Sequence, residues 1–271
     1  MVSSGMHNVT FSQFKYFCDE LQNQLRFIAE VSENDVDFVF NRMINVSNRM
    51  GEVSENYNRN DYPAFFDSSR KGLSSINRAF VNYYCLRLSS VLEQYLRDTL
   101  KQMLKLNAQL LERGFHEALC SKDLDLIEKY DEQSYMKYLN TIASHFTQGQ
   151  KFKGKYKRFS RFIKIDYQSL TIDEIDNLFV FRNDIAHLNR HSDEKKIPKL
   201  KVSENISIDR ESKISKDDMK IIAEYLIALT NRIIEFLRNV DLAATNKWKF
   251  LNESPQKHYE KAYQLYLKNI K

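Results

Sequence analysis

Four residues close together in the chain, Arg182, Asn183, Asp184 and His187, have side chains suited to chemistry on a phosphodiester. On a 3.6-residue period Asn183 and His187 share one helix face, with Asp184 beside them. Arginine stays charged and histidine titrates near neutral pH, so Arg182 can clamp a phosphate while His187 transfers a proton. RNA supplies its own nucleophile, the 2′-hydroxyl, and these residue types could support its cleavage without a metal. Leu178 and Ile175 precede Arg182 at helical spacing, so the guanidinium emerges from an apolar stripe where an unpaired charge is costly. An anion is expected to meet it there. A purely structural alternative pairs Arg182 with Glu93 or Asp98 and leaves His187 as a helix-end histidine near the C-terminal dipole. His191, one turn further on, could assist His187 or substitute for it.

A second feature stands just ahead of this segment. The run KFKGKYKRFSRFIK contains Lys151, Lys153, Lys155, Lys157, Arg158, Arg161 and Lys164 and no acidic residue. The chain as a whole is +5, so removing the strip's +7 leaves the remainder at −2. Phe152, Tyr156, Phe159 and Phe162 interleave the cations. Such a strip can bind RNA phosphates while aromatics, Tyr156 among them, stack on unpaired bases. The alternative is a solvated face whose phenylalanines turn into the core.

Other chemistries find little support. His7, His116, His145, His191 and His258 show no metal-ligand spacing, so no metal site is expected. No Walker loop, nucleophile elbow or dinucleotide fingerprint is present, and no cofactor is implied. Cys18, Cys85 and Cys120 are far apart in sequence, which suits a reducing compartment better than a disulfide framework. The opening residues MVSSGMHNVTFSQF lack a basic start followed by an apolar run, and no stretch approaches the roughly 18 apolar residues of a membrane span. A cytoplasmic protein without membrane association is expected.

The elements that must position these residues read as helices. The 271 residues include only six glycines and three prolines, too few turn residues for an all-β fold of this length. Apolar residues at helical spacing predict one amphipathic helix through Phe14, Phe17, Leu21, Leu25 and Ile28, and a second through Val36, Val39, Met43 and Met50. The polar stretch from Gly51 to Ser69 reads as a connection. A long core helix should follow through Tyr84, Leu88, Leu92, Leu96, Leu100 and Met103. Further helical pattern runs from Leu126 to Phe146.

Thr171 and Glu174 form a capping-box pattern for the helix that carries Arg182. The charged segment after it reads as a loop with a short hairpin at Leu200 to Ile208. Ser215 and Asp218 open a closing helix with Met219, Ile222, Leu226, Leu229, Ile233 and Leu237 on one face. A tail with Trp248, Tyr259, Tyr263 and Tyr266 ends the chain. The expectation is an all-α protein with an N-terminal helical region at 1–64, a motif-bearing helical domain at 65–242 and a helical tail at 243–271.

FRNDIAHLN, with Arg182, four intervening residues and His187, resembles the signature of the HEPN (higher eukaryotes and prokaryotes nucleotide-binding) ribonucleases. Members commonly follow the arginine with a polar residue, as Asn183 does here. The late motif with a long helix after it, here Ser215 to Val240, is also similar. LSSVLEQYLRDTL, Leu88 to Leu100, looks like an earlier core helix of several members, in which an acidic residue, here Glu93, can face the motif. The resemblance covers roughly Ser68 to Val240. Many members have glycine after the histidine, where this chain has Leu188 and Asn189.

The resemblance implies an all-α bundle and a homodimer whose two motifs build one composite cleft. In that cleft His187 would transfer a proton, Arg182 would offset phosphorane charge and Asn183 would orient the pair. Asp184, Glu93 and His191 would be supporting groups. The implied activity is metal-independent endoribonuclease cleavage to 2′,3′-cyclic phosphate and 5′-hydroxyl ends, in a toxin or antiviral effector restrained by an antitoxin or sensor partner. Two other readings remain: a non-catalytic module that binds RNA or nucleotide or scaffolds a partner, and a helical interaction protein in which Arg182 is a structural ion pair.

Overall fold

Apolar residues recurring every three or four positions bury Val81, Tyr84, Leu88, Leu92, Leu96 and Leu100 along a single helix, and that burial rather than intrinsic propensity holds so long a helix together. The computed structural model of the chain describes residues 7–31, 35, 70–119, 132–165, 169, 171–186 and 198–248. Among these, seven helices occur: α1 His7–Glu30, α2 Arg70–Leu106, α3 Ala108–Leu119, α4 Glu132–Thr147, α5 Phe152–Phe162, α6 Thr171–Ala186 and α7 Lys216–Lys247. A two-stranded ribbon, β1 Leu200–Lys201 with β2 Ser207–Ile208, is the β-structure found among the same residues. The protein is therefore mainly α-helical, as its composition implied. No helix among the described residues is long and apolar enough to cross a membrane.

The sequence pattern gave no boundary between α2 and α3. Asn107 supplies one, because its Oδ1 accepts the Leu110 N–H at 3.0 Å and caps the new helix. Expected elements at Val36 to Met50, Gly51 to Ser69, Leu126 to Tyr130 and Tyr259 to Tyr266 lie outside the described residues.

The chain forms two compact units, each discontinuous in sequence. One takes its described residues from Met1–Phe17, Ser90–Phe179 and Arg232–Lys271, the other from Cys18–Ser89 and Val180–Asn231.

The first unit has an aromatic core. The Phe14 ring lies 5.0 Å from that of Tyr95, and α5 turns Phe152, Tyr156, Phe159 and Phe162 inwards. Phe146 stacks on Phe162 at 4.0 Å, and Phe236 meets Tyr156 edge-on at 5.1 Å. A Cβ added at Gly114 of α3 would stand 2.8 Å from Ile142 Cγ2 of α4, so the close approach of these helices requires glycine. Lys164, in left-handed conformation with φ 54°, closes α5. Ile165 N–H then reaches Ser160 O at 3.0 Å and Lys164 N–H reaches Arg161 O at 3.3 Å, the paired bonds of a Schellman ending. Trp248 donates its indole N–H to Ile163 O at 2.7 Å, satisfying another carbonyl at that helix end.

In the second unit, Cys18, Leu21 and Leu25 of α1 and Tyr84 and Cys85 of α2 are buried. Tyr84 Oη and Thr230 Oγ1 share a hydrogen bond of 2.7 Å, and Gln22 donates to Asn231 Oδ1 at 2.9 Å. The antiparallel ribbon pairs Leu200 with Ile208 and Lys201 with Ser207; its two apolar residues are buried, consistent with the expected hairpin. Ser215 caps α7 as its spacing predicts: Oγ accepts the Asp218 N–H at 3.1 Å and donates to Asp218 Oδ2 at 2.7 Å.

Candidate functional site

Helix α6 carries Arg182, Asn183 and Asp184, and its start differs from the expected capping box. The Ser169 hydroxyl accepts the Thr171 N–H at 3.2 Å, while Glu174 is engaged elsewhere. Both Glu174 carboxylate oxygens accept from Arg232, each at 2.9 Å, and such a planar two-point fit is better satisfied than a cap by one oxygen. Asp173 and Glu174 still place negative charge in the first turn, where the helix dipole favours it.

At the other end of α6, Arg182 Nη1 donates to Asn183 Oδ1 at 2.9 Å, and both side chains are half-buried. The next residue, Asp184, is buried. Its Oδ1 accepts from Arg210 Nη1 at 3.4 Å, and the same nitrogen lies 3.5 Å from the Asp184 carbonyl oxygen. Asp184 Oδ2 is also buried and has no hydrogen-bond partner among the described residues.

Arg210 is held in place by its turn. The Asp209 N–H donates to Ser212 Oγ at 2.9 Å, and Asp209 Oδ1 accepts the Glu211 N–H at 2.9 Å and the Ser212 hydroxyl at 3.0 Å. From α2, Asn82 donates to Arg210 O at 3.3 Å, Arg78 to Glu211 O at 3.3 Å and Asn77 to Ile214 O at 3.2 Å. One stretch of α2 thus grips three carbonyls in and beside the turn that aims Arg210 at α6. His187 and His191 lie outside the described residues.

The chain matches no protein-family model, curated protein or solved structure. Its site is therefore read from its own geometry. Arg182, Asn183 and Asp184 are consecutive on α6, and two polar contacts among the described residues involve them. The first links Arg182 to Asn183, and the second links Asp184 to Arg210.

Glu93, expected as an acidic group near the motif, accepts from Lys155 Nζ at 2.6 Å, and both side chains are mostly buried. Lys155 also lies over the Phe179 ring, 5.8 Å from its centroid. Two residues given separate roles in the sequence are thus joined in one ion pair. Tyr156 is buried too, at 3% exposure. It cannot stack on a base from that position, because the helical period that exposes Lys153, Lys157 and Arg161 of α5 turns every one of its aromatics into the core.

The remaining strip residues, Lys151, Lys153, Lys157, Arg158, Arg161 and Lys164, are exposed. Lys153 is paired with Asp173 at 2.9 Å; that hydrogen bond and the Asp173 charge push its ammonium above the ordinary lysine range. Its backbone N–H donates to Asp176 Oδ1 at 2.8 Å, capping α5 from α6. Arg158 Nη1 reaches Gln148 O at 3.5 Å.

Sequence reasoning missed Arg210. It lies 26 positions from Asp184 in a charged turn with no periodic signal, and only the tertiary fold joins them. Among the described residues, no group of three or more His, Cys, Asp or Glu side chains is placed to hold a metal.

Proposed function

We propose that the chain is a metal-independent endoribonuclease of the HEPN type, acting in the cytoplasm as a toxin or antiviral effector. The observation that carries this reading is the Arg182–Asn183 pair near the C-terminal end of α6, joined at 2.9 Å. A helix C-terminus repels anions, so phosphate capture there depends on a cationic side chain, and a guanidinium oriented by its neighbour is suited to that task. The Asp184–Arg210 contact adds support, because it ties the same turn of the helix to a second segment of the fold.

In the reaction, the 2′-hydroxyl oxygen bonds to phosphorus as the P–O5′ bond breaks. His187 takes the hydroxyl proton or delivers one to the departing 5′-oxygen, and Arg182 offsets the negative charge of the pentavalent phosphorus. The products are a 2′,3′-cyclic phosphate and a 5′-hydroxyl. The active form is a homodimer with one composite cleft, and an antitoxin or sensor restrains it. No metal or cofactor takes part in these steps.

The test is cleavage of end-labelled single-stranded RNA in chelator by the parent and by His187→Ala, with folding and dimerisation of both checked beforehand. Cyclic-phosphate ends from the parent and a rate at least ~100-fold lower in the variant support the reading. Binding without cleavage by the parent overturns it in favour of a binding module. Unfolding of Arg182→Ala, in a parent that neither binds nor cleaves RNA, favours a structural ion pair.

A further inference from the structure

We infer that the exposed face of α5 is a docking surface for the phosphate backbone of a nucleic acid, and that it binds without reading bases. On a 100° period Lys153, Lys157 and Arg161 of α5 fall close together, and with Arg158 they occupy an arc of ~140°; the exposed Lys151 and Lys164 flank the helix at its two ends. Every residue on the opposite arc is buried, including Phe152, Tyr156, Phe159 and Phe162. Of the exposed cations, Lys153 is offset by Asp173. Among the described residues, no carboxylate pairs with Lys151, Lys157, Arg158, Arg161 or Lys164. Five positive charges therefore face solvent from one short segment.

The arrangement favours nucleic acid over a membrane. A helix that lies on a bilayer inserts its apolar face, whereas the apolar face of α5 is committed to the core of its own unit. The four-residue steps from Lys153 to Lys157 to Arg161 repeat about every 6 Å along the helix axis, which suits a linear polyanion. Base stacking needs exposed aromatics, and all four in this helix face inwards, so contacts are limited to phosphates, which carry no sequence information.

Gly154 supplies an independent handle. It is exposed within the cationic arc, and a Cβ there would meet nothing within 4 Å. A side chain can be added without disturbing the core. This surface does not rest on the ribonuclease reading, since binding and cleavage are separable.

The experiment measures binding of fluorescent 2′-O-methyl oligo(U) and oligo(A), which lack the attacking hydroxyl, at several salt concentrations. With five phosphate contacts, the parent should lose roughly 100-fold in affinity between 50 and 200 mM salt, against about 7-fold for Lys157→Gln/Arg161→Gln/Lys164→Gln. Gly154→Lys should bind more tightly, with a steeper salt dependence, and both oligomers should bind within threefold of each other. An unchanged salt slope in the triple variant, or a strong base preference, overturns the proposal. So does binding to vesicles of phosphatidylcholine with phosphatidylserine in the absence of RNA binding. Circular dichroism checks folding, and should the triple variant not fold, Gly154→Lys decides the matter alone.

Discussion

The two units treat a carboxylate shielded from solvent differently. In the first, Glu93 meets Lys155 at 2.6 Å, and an aromatic ring lies beside the ammonium. In the second, Asp184 receives one contact of 3.4 Å from Arg210, and its other oxygen is buried without a partner among the described residues. Removing one partner of a close pair strands the other charge in a packed setting, whereas a carboxylate held by one long contact has less to lose. The second arrangement adjoins Arg182 and Asn183, and the first lies in a different unit from them. The geometry thus separates a short ion pair from a longer one next to the candidate site.

The largest expected effect breaks the well-made pair. Lys155→Met leaves Glu93 without its ammonium and should destabilise the protein by about 3 kcal/mol in urea denaturation. Adding Glu93→Met should restore most of that loss; a double variant no better than the single would show that the packing around the pair, rather than its charge, matters. Next comes Arg210→Ala, expected to cost about 2 kcal/mol because the Asp184 carboxylate then stays buried alone. Asp184→Asn should cost less than Arg210→Ala, since the amide removes the buried charge. The reverse order would mean that Arg210 acts chiefly through its turn.

Ser215→Ala should cost about 1 kcal/mol by removing the α7 cap, and it serves as a reference for a purely local contact in the second unit. A variant loss at Arg210 no larger than this would erase the proposed contrast.

The smallest effect concerns thiols. Burial pushes Cys18 and Cys85 up to about 12, with the Asp19 charge adding to the shift at Cys18. Both belong to the second unit. Because the folded values lie above the ordinary thiol value, their contribution to stability is complete below pH ~9 and is lost as pH rises towards 12. Denaturation midpoints at pH 8 and pH 10 should differ in that direction. At pH 8 the two thiols should be nearly inert to a disulfide reagent, and faster labelling in Arg210→Ala would show that the imperfect pair guards the opening of its unit.

Legibility from sequence followed the range of the interaction. The Ser215 cap, the hairpin and the long α2 helix depend on residues a few positions apart, and each was visible as spacing. Asn107 was equally local and could have been found: an asparagine before AQLL is a cap signal. The fate of Glu174 was not readable, because its partner Arg232 lies 58 positions away. Glu93 and Lys155 show the same limit at 62 positions. From spacing alone Glu174 reads as a cap, Glu93 as an acidic group facing the motif and Lys155 as an RNA contact, since a sequence displays charge without displaying its partner. The aromatics of α5 are a different case: their helical period was legible and pointed inwards, but their chemistry suggested stacking. The two pairs at the motif, one between neighbours and one across 26 positions, divide along the same line.

The turn at Asp209 to Ile214 is gripped through the carbonyl oxygens of Arg210, Glu211 and Ile214. Every amino acid offers a carbonyl, so this grip is indifferent to which side chains the turn displays. Glu211 Oε1 also accepts from Arg210 Nε at 3.2 Å, but the exposed Lys213 can drift, or be replaced by a label or an engineered contact, while Arg210 keeps its aim. Tolerance to rewriting and fidelity of placement are here properties of the same short turn, and a library randomised at Lys213 should return folded proteins at high frequency.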